Sequence, residues 1–217
     1  MNDFSHLQKW DNPNVKIKKA KESVEALRQH TKGYFAIQKE KEEIAERRLS
    51  YNTNLQKNRD FLLKLEELKT EFYRMTSMSN KQKRGFDFEK FINNIFNLYD
   101  LNSRCSYRAN GEQIDGAFTY EHQDYLIEAK WEKDPMPKSS LLTFEGKVAG
   151  KLDNTLGLFI SISGFSDNCK PKNVSKVILM DSQDIIMVLD NRIDLPMLIY
   201  RKKQHASQTG EILFHPL

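Results

Sequence analysis

Asp115, Glu128 and Lys130 are the residues of this chain whose types and spacing could do chemistry together. In a strand, residues two apart project from the same face. Glu128 and Lys130 therefore leave the stretch Tyr125–Lys130 together, while Ile127 and Ala129 point the other way. A charged pair on one strand face, between Leu126 and Trp131, is costly in a core unless it is paired or bound to metal. Asp115 lies one strand earlier, between Ile114 and Gly116, where an antiparallel hairpin can bring it beside Glu128. Two carboxylates on adjacent strands make an oxygen-only site, which suits Mg2+ or Mn2+. A cation there would polarise a phosphate and help generate hydroxide from water. A lysine beside it would orient that water or stabilise a pentavalent transition state. Phosphodiester hydrolysis needs this set of groups.

Glu-x-Lys alone carries little information. It recurs at Glu67–Lys69 and Glu145–Lys147, in stretches read as helical, where positions i and i+2 do not face each other. Only the 128–130 copy combines a strand with an upstream aspartate, although Ile114-Asp115-Gly116 is also an ordinary turn tripeptide. His6, His30, His122, His205 and His215 are scattered without metal-ligand spacing, and Cys105 and Cys169 fit none either. His122 falls in the hairpin loop and could touch substrate, though a surface loop accounts for it. Trp131 could stack on a base, or fill the core and cap its strand. Lys147 and Lys151 lie a turn apart on the next helix and could meet a phosphate; a solvated face accounts for them equally.

These residues must be positioned by an α/β domain that begins near Gly85. Phe86, Phe88, Phe91, Ile92, Ile95, Phe96 and Tyr99 recur at helical spacing, which predicts a buried amphipathic helix over 86–99. Asn110–Gly111 signals a turn. Gln113–Tyr120 and Asp124–Trp131 read as the strands of an antiparallel hairpin joined through Glu121, His122 and Gln123. Residues 138–152 form an amphipathic helix that turns Leu141, Leu142, Val148 and Leu152 inward. Leu156–Ser163 is continuously apolar, as a buried central strand should be, and Gly164 ends it. Val177–Met180 is a second buried strand and Ser182–Leu189 a short helix packed on the sheet. A last helical turn or two is expected over 194–200. The architecture expected is a mixed sheet flanked by helices.

Upstream, residues 14–82 hold one glycine, Gly33, and no proline. Helices are expected over 14–31 and 35–77. Within the second, Ile37, Ile44, Tyr51, Asn58, Leu65 and Phe72 recur every seven residues. Leu55, Phe61, Leu62, Leu68 and Met75 flank that seam, which must be buried against another helix. Asn58 could fix its register. Glu40, Arg47 and Asn54 make the first half polar, so a coiled coil is expected from about Tyr51. Such a helix spans on the order of 60 Å, more than a small domain can cover. It either folds back on 14–31 or pairs with a second copy of the chain. The polar segment Ser77–Arg84 marks a boundary between a helical extension over 1–80 and an α/β domain over 84–217.

Hydrophobic residues make up 39% and charged residues 29% of the chain, so a packed core under a heavily charged surface is possible. The net charge of +4 is mild, but residues 1–84 carry +7 and residues 85–217 carry −3. The basic half could contact phosphates or be a solvated helix surface. The longest apolar runs, such as Leu156–Ile160 and Ile185–Leu189, fall far short of the ~20 residues of a membrane span. The N-terminus lacks a basic and apolar secretory signal, so free thiols and a cytoplasmic protein are expected.

Four blocks, in this order, resemble the Mrr-like catalytic domain of the PD-(D/E)xK restriction-endonuclease-like superfamily. Arg84-Gly-Phe-Asp-Phe-Glu-Lys-Phe is similar to its opening helix, and Gly111-Glu-Gln-Ile-Asp-Gly-Ala-Phe to its glycine-rich strand. Tyr125-Leu-Ile-Glu-Ala-Lys-Trp resembles its (Glu/Gln)-x-Lys strand, and Gly157-Leu-Phe-Ile-Ser-Ile-Ser-Gly-Phe-Ser a later strand ending in Ser-Gly-Phe. The likeness covers about residues 84–190. It implies a restriction-endonuclease core and Mg2+-dependent cleavage of DNA, with a defence role by analogy. It implies that Asp115 and Glu128 bind the metal, that Lys130 is the catalytic lysine, and that Glu89 is an additional acid nearby. Ala129 would lend its backbone carbonyl to the metal. Relatives that restrict modified DNA often carry a winged-helix domain. The helical 1–80 region departs from that and is expected to dimerise the protein or dock a partner. The alternatives are a repair or recombination nuclease, and a non-catalytic module that binds DNA or a partner; an intact Asp/Glu/Lys set weighs against the last.

Overall fold

The computed structural model describes residues 3–101, 103–109, 112–169 and 176–216. The turn expected at Asn110–Gly111 lies outside them, as do the side chains at seam positions Ile37 and Glu40. The chain divides into two compact units, Met1–Arg59 and Asp60–Leu217.

The first unit holds a 3-10 turn, Ser5–Lys9, and most of helix α1, Pro13–Thr76. The two helices expected over 14–31 and 35–77 are one: Gly33 is helical and no fold-back occurs. One glycine costs about 1 kcal/mol relative to alanine, too little to break a long run of good helix formers. No described residue before Leu65 is buried, and Ile44, Tyr51 and Leu55 of the seam are exposed.

The second unit begins inside α1. Leu65, Leu68, Phe72 and Met75 are buried in the same core as the sheet. The end of the heptad seam therefore finds its cover within the chain. This is why the packing division falls at Arg59 and Asp60, and not at the polar segment 77–84 that suggested a boundary. That segment holds the start of α2, Lys81–Leu98, whose first turn is capped by the Asn80 side chain accepting from Lys83 N–H at 3.0 Å. The buried face of α2 is Phe88, Phe91, Ile92, Ile95 and Phe96; Phe86, expected inside, is exposed under the Lys90 ammonium.

Five strands follow: β1, Arg104–Ala109; β2, Glu112–Tyr120; β3, Gln123–Lys130; β4, Thr155–Ser161; and β5, Val177–Asp181. Their spatial order is β1-β2-β3-β4-β5. β1, β2 and β3 pair antiparallel, and β4 pairs parallel to both β3 and β5, giving the expected mixed sheet. The β2–β3 turn is tighter than expected: Glu121 and His122 both take positive φ, the primed hairpin geometry that follows strand twist. Helix α3, Lys138–Ala149, crosses one face; α4, Ser182–Leu189, and α5, Leu195–Thr209, follow β5. No described helix is long and apolar enough to cross a membrane.

Side-chain alternation divides the core between the two faces. Tyr125, Ile127, Ala129, Leu158, Ile160, Ile178 and Met180 join α1, α2, α4 and α5 on one side. Leu126, Phe159, Val177 and Leu179 meet Leu141, Phe144 and Val148 of α3 on the other. Leu142 and Leu152, expected inward, are exposed, because α3 presents the 141/144/148 stripe and ends at Ala149. Gly157 lets α3 approach β4: a Cβ there would lie 2.8 Å from both Phe144 and Val148 side-chain atoms and 2.9 Å from Val177.

Candidate active site

The alternation that sends Ile127 and Ala129 into one core sends Glu128 and Lys130 toward the α3 side, as strand period predicts. The β2–β3 ladder pairs Gly116 with Ile127, which sets Asp115 opposite Glu128. Here the strands are joined by a side chain: Asp115 Oδ2 accepts from the Ala129 N–H at 3.1 Å. The same oxygen accepts from Lys130 Nζ at 2.9 Å, and Lys130 Nζ lies 2.9 Å from Glu128 Oε1. The three residues picked out by spacing thus meet at one ammonium. Asp115 is 5% exposed and the Glu128 side chain 12%.

Burial alone would lower the pKa of Lys130, but the charges of Asp115 and Glu128, and its hydrogen bonds to both, outweigh that and raise it. The side chain is a cation at neutral pH. Glu89, on α2, has its carboxyl pushed up by burial and by the charge of Asp115; Lys130 opposes this and Glu128 adds to it. Glu89 therefore shares the electrostatic field of the other two acids.

A fourth group arrives from α3. Lys147 Nζ lies 2.9 Å from Glu128 Oε2 and donates to the Gln113 carbonyl at 3.2 Å. Sequence reasoning left Lys147 between a phosphate contact and a solvated face. Helical periodicity turns it away from the exposed side, but only tertiary packing supplies its partner. Lys151, one turn on, instead edges an open cavity of about 690 Å³ whose lining includes Arg104, Tyr107 and Leu126. None of the three predicted residues lines that cavity.

Trp131 fills the core. Its ring lies 5.3 Å from Phe72 and 5.2 Å from Phe88, and its carbonyl accepts from Arg84 at 3.4 Å, so it is not free to stack on a base. His122 is exposed in the hairpin turn, seven residues from Asp115, roughly 20 Å along the strand.

Asp115, Glu128 and Glu89 offer oxygen donors, two of them on facing strands and the third in their field. That chemistry fits a hard divalent cation, which would relieve the mutual repulsion of the acids. Ala129 contributes its N–H to Asp115, and in a strand the carbonyl of a residue points to the same side as its N–H. Asp181, Asp184 and His215 form a second group, the one set of three among the described residues with ligand atoms all within 4.8 Å. No ligand spacing announces it. Most of its atoms are already engaged: Asp181 caps α4 and meets His215 at 3.0 Å, while Asp184 Oδ2 completes the capping box and pairs with Lys202 at 2.7 Å, leaving Asp184 Oδ1 buried without a hydrogen bond among the described residues. A helix cap accounts for it.

A family model for the restriction endonuclease catalytic domain of Mrr type matches residues 81–189, half of the chain. No curated protein and no solved structure matches the chain.

Proposed function

The chain belongs to the restriction endonuclease family of Mrr type, and on that premise we propose that it is a metal-dependent DNA endonuclease acting in restriction or anti-phage defence. The observation that carries the reading is the meeting of Asp115, Glu128 and Lys130 within 2.9 Å contacts on the fork between β2 and β3. Surface copies of Glu-x-Lys have no reason to converge in this way.

In this reading Asp115 and Glu128, with the Ala129 carbonyl, hold Mg2+ or Mn2+, and Glu89 is the additional acid. The bound cation would polarise the scissile phosphate and lower the pKa of a water. The remaining work falls to the chain. Lys130, protonated, donates hydrogen bonds where negative charge develops on the phosphoryl oxygens. The Ala129 N–H keeps Asp115 aimed. The two strands bring both groups to one fork before substrate arrives.

Incubation with supercoiled plasmid tests this. Conversion to nicked or linear DNA is expected with Mg2+ or Mn2+ and none with EDTA. Cutting that persists in EDTA would reject the metal site. Absence of cutting on supercoiled, linear and single-stranded DNA would favour the binding-module alternative.

The helical arm, in the same proposal, pairs with a second copy. Ile44, Tyr51, Leu55 and Leu62 recur at seam spacing and are exposed, and α1 does not double back to cover them. Two copies would present two catalytic sites to a duplex. Light scattering should give twice the 25.5 kDa chain mass, falling to one chain mass when Tyr51 and Leu55 are both changed to glutamate. A monomeric wild type would remove this part of the proposal.

A further inference from the structure

We propose that Lys147 is a positioning residue of the metal site, acting through Glu128; the inference rests on the nuclease reading above.

Asp115 lies at the place where the β2–β3 ladder gives out. Backbone pairing reaches Gly116 and Ile127. Beyond that pair the strands diverge, and besides the Lys130–Asp115 ion pair two further side-chain clamps join them. One is the Asp115 carboxylate taking the Ala129 N–H. The other is Lys147, whose ammonium bridges Glu128 Oε2 on β3 to the Gln113 carbonyl on β2. Lys147 belongs to neither strand. It comes from α3, whose Phe144 and Val148 are locked into the core on either side of it. Its anchor is therefore rigid, and its side chain is only 19% exposed.

The consequence for Glu128 follows from its two oxygens. Lys130 engages Oε1 and Lys147 engages Oε2, each at 2.9 Å. A glutamate on a strand edge has three side-chain torsions to lose on binding a cation. One lysine leaves the carboxylate free to swing about that contact; two lysines from different elements fix its plane. Lys130 is also shared with Asp115, so it cannot hold Glu128 alone when Asp115 turns to a cation. Among the described residues Lys147 meets no such second acid. It keeps Glu128 in place while Lys130 is redirected to substrate. Partners that orient a metal ligand from behind are worth roughly 10–100-fold in metal affinity.

The test is calorimetric titration of the full-length protein with Mn2+, in the absence of DNA. Wild type, Lys147→Met, Lys147→Arg and Glu128→Gln are compared, with thermal unfolding of each recorded alongside. Methionine keeps the aliphatic stem and the packing. The expected result is Mn2+ binding weakened by about 10-fold or more in Lys147→Met, and restored to within a few-fold by Lys147→Arg, with all four proteins folded. In plasmid cleavage the Lys147→Met defect should shrink as Mn2+ is raised, because the ligand is displaced and not lost. Lys147→Met binding Mn2+ as tightly as wild type, or more tightly, would overturn the inference while leaving the nuclease reading intact. Glu128→Gln binding as tightly as wild type would overturn both, by removing the metal site itself.

Discussion

Lys130→Ala and Asp115→Asn are each expected to lower plasmid cleavage by at least roughly 10²–10³-fold, the cost of removing one preorganised group from a charge-stabilising site. The reasons differ. Lys130 is held as a cation because Asp115 and Glu128 outweigh its burial, which suits it to stabilising negative charge. Its loss removes charge stabilisation, and a histidine or neutral amine would not replace it. Asp115→Asn keeps an oxygen for the Ala129 N–H, so the β2–β3 fork should survive while the charge is lost. Lys130→Ala leaves two nearly buried carboxylates facing each other without their shared ammonium. Its melting temperature must therefore be followed, and the asparagine variant is the cleaner measure. Cleavage by both variants at the wild-type rate would reject the site.

The largest expected effect on stability lies elsewhere in the fold. The side chains of Lys202 on α5 and Asp184 on α4 are fully buried and 2.7 Å apart. Lys202 donates to Asp184, to the Leu179 carbonyl at 3.0 Å and to the Phe214 carbonyl, so all three ammonium protons are used. It ties α5, β5 and the C-terminal segment together. Lys202→Met should destabilise the protein by about 3–5 kcal/mol in urea unfolding, because it leaves Asp184 buried and unpaired. Burial already raises the Asp184 carboxyl against the pull of Lys202; without that pull it rises further. An acid whose folded pKa exceeds its unfolded value supports the fold below the unfolded pKa and loses that support as pH rises. The Lys202→Met defect should therefore be larger at pH 8 than at pH 4. Lys202→Met combined with Asp184→Asn should recover part of the loss and flatten that pH dependence. A change below about 1 kcal/mol at pH 8 would mean that the pair contributes little to stability.

The parts of this molecule that were legible in sequence are those governed by short periods. Glu128 and Lys130 are two apart on one strand, Asp115 is a short hairpin away, and Leu158–Ile160 is continuously apolar because both sheet faces are covered. What escaped depends on distant partners. A 3.5-residue seam states that a face must be covered and not by what. So Leu65, Phe72 and Met75, buried in the second unit, look like Tyr51 and Leu55, which are exposed. β1 reads Arg-Cys-Ser-Tyr-Arg-Ala, with no alternation, as an edge strand of a sheet permits. α5 outran its expected end at 200 because a lysine, Lys202, fills the core position after Leu195, Leu198 and Ile199. Lys147 and His215 carry no local mark of the partners they meet.

Phe72 rests 5.3 Å from Trp131, and Trp131 directly follows Lys130. The last turns of the long helix are thus a buttress behind β3, and the two stretches of that helix tolerate change differently. One residue inserted between Leu65 and Phe72 turns everything upstream of it by about 100° and must pull either Leu65 or Phe72 from its seat. The same insertion before Arg59 displaces no buried side chain among the described residues. Length variation, fusion and hinge engineering belong in that upstream stretch; the downstream one is as constrained as the sheet it supports.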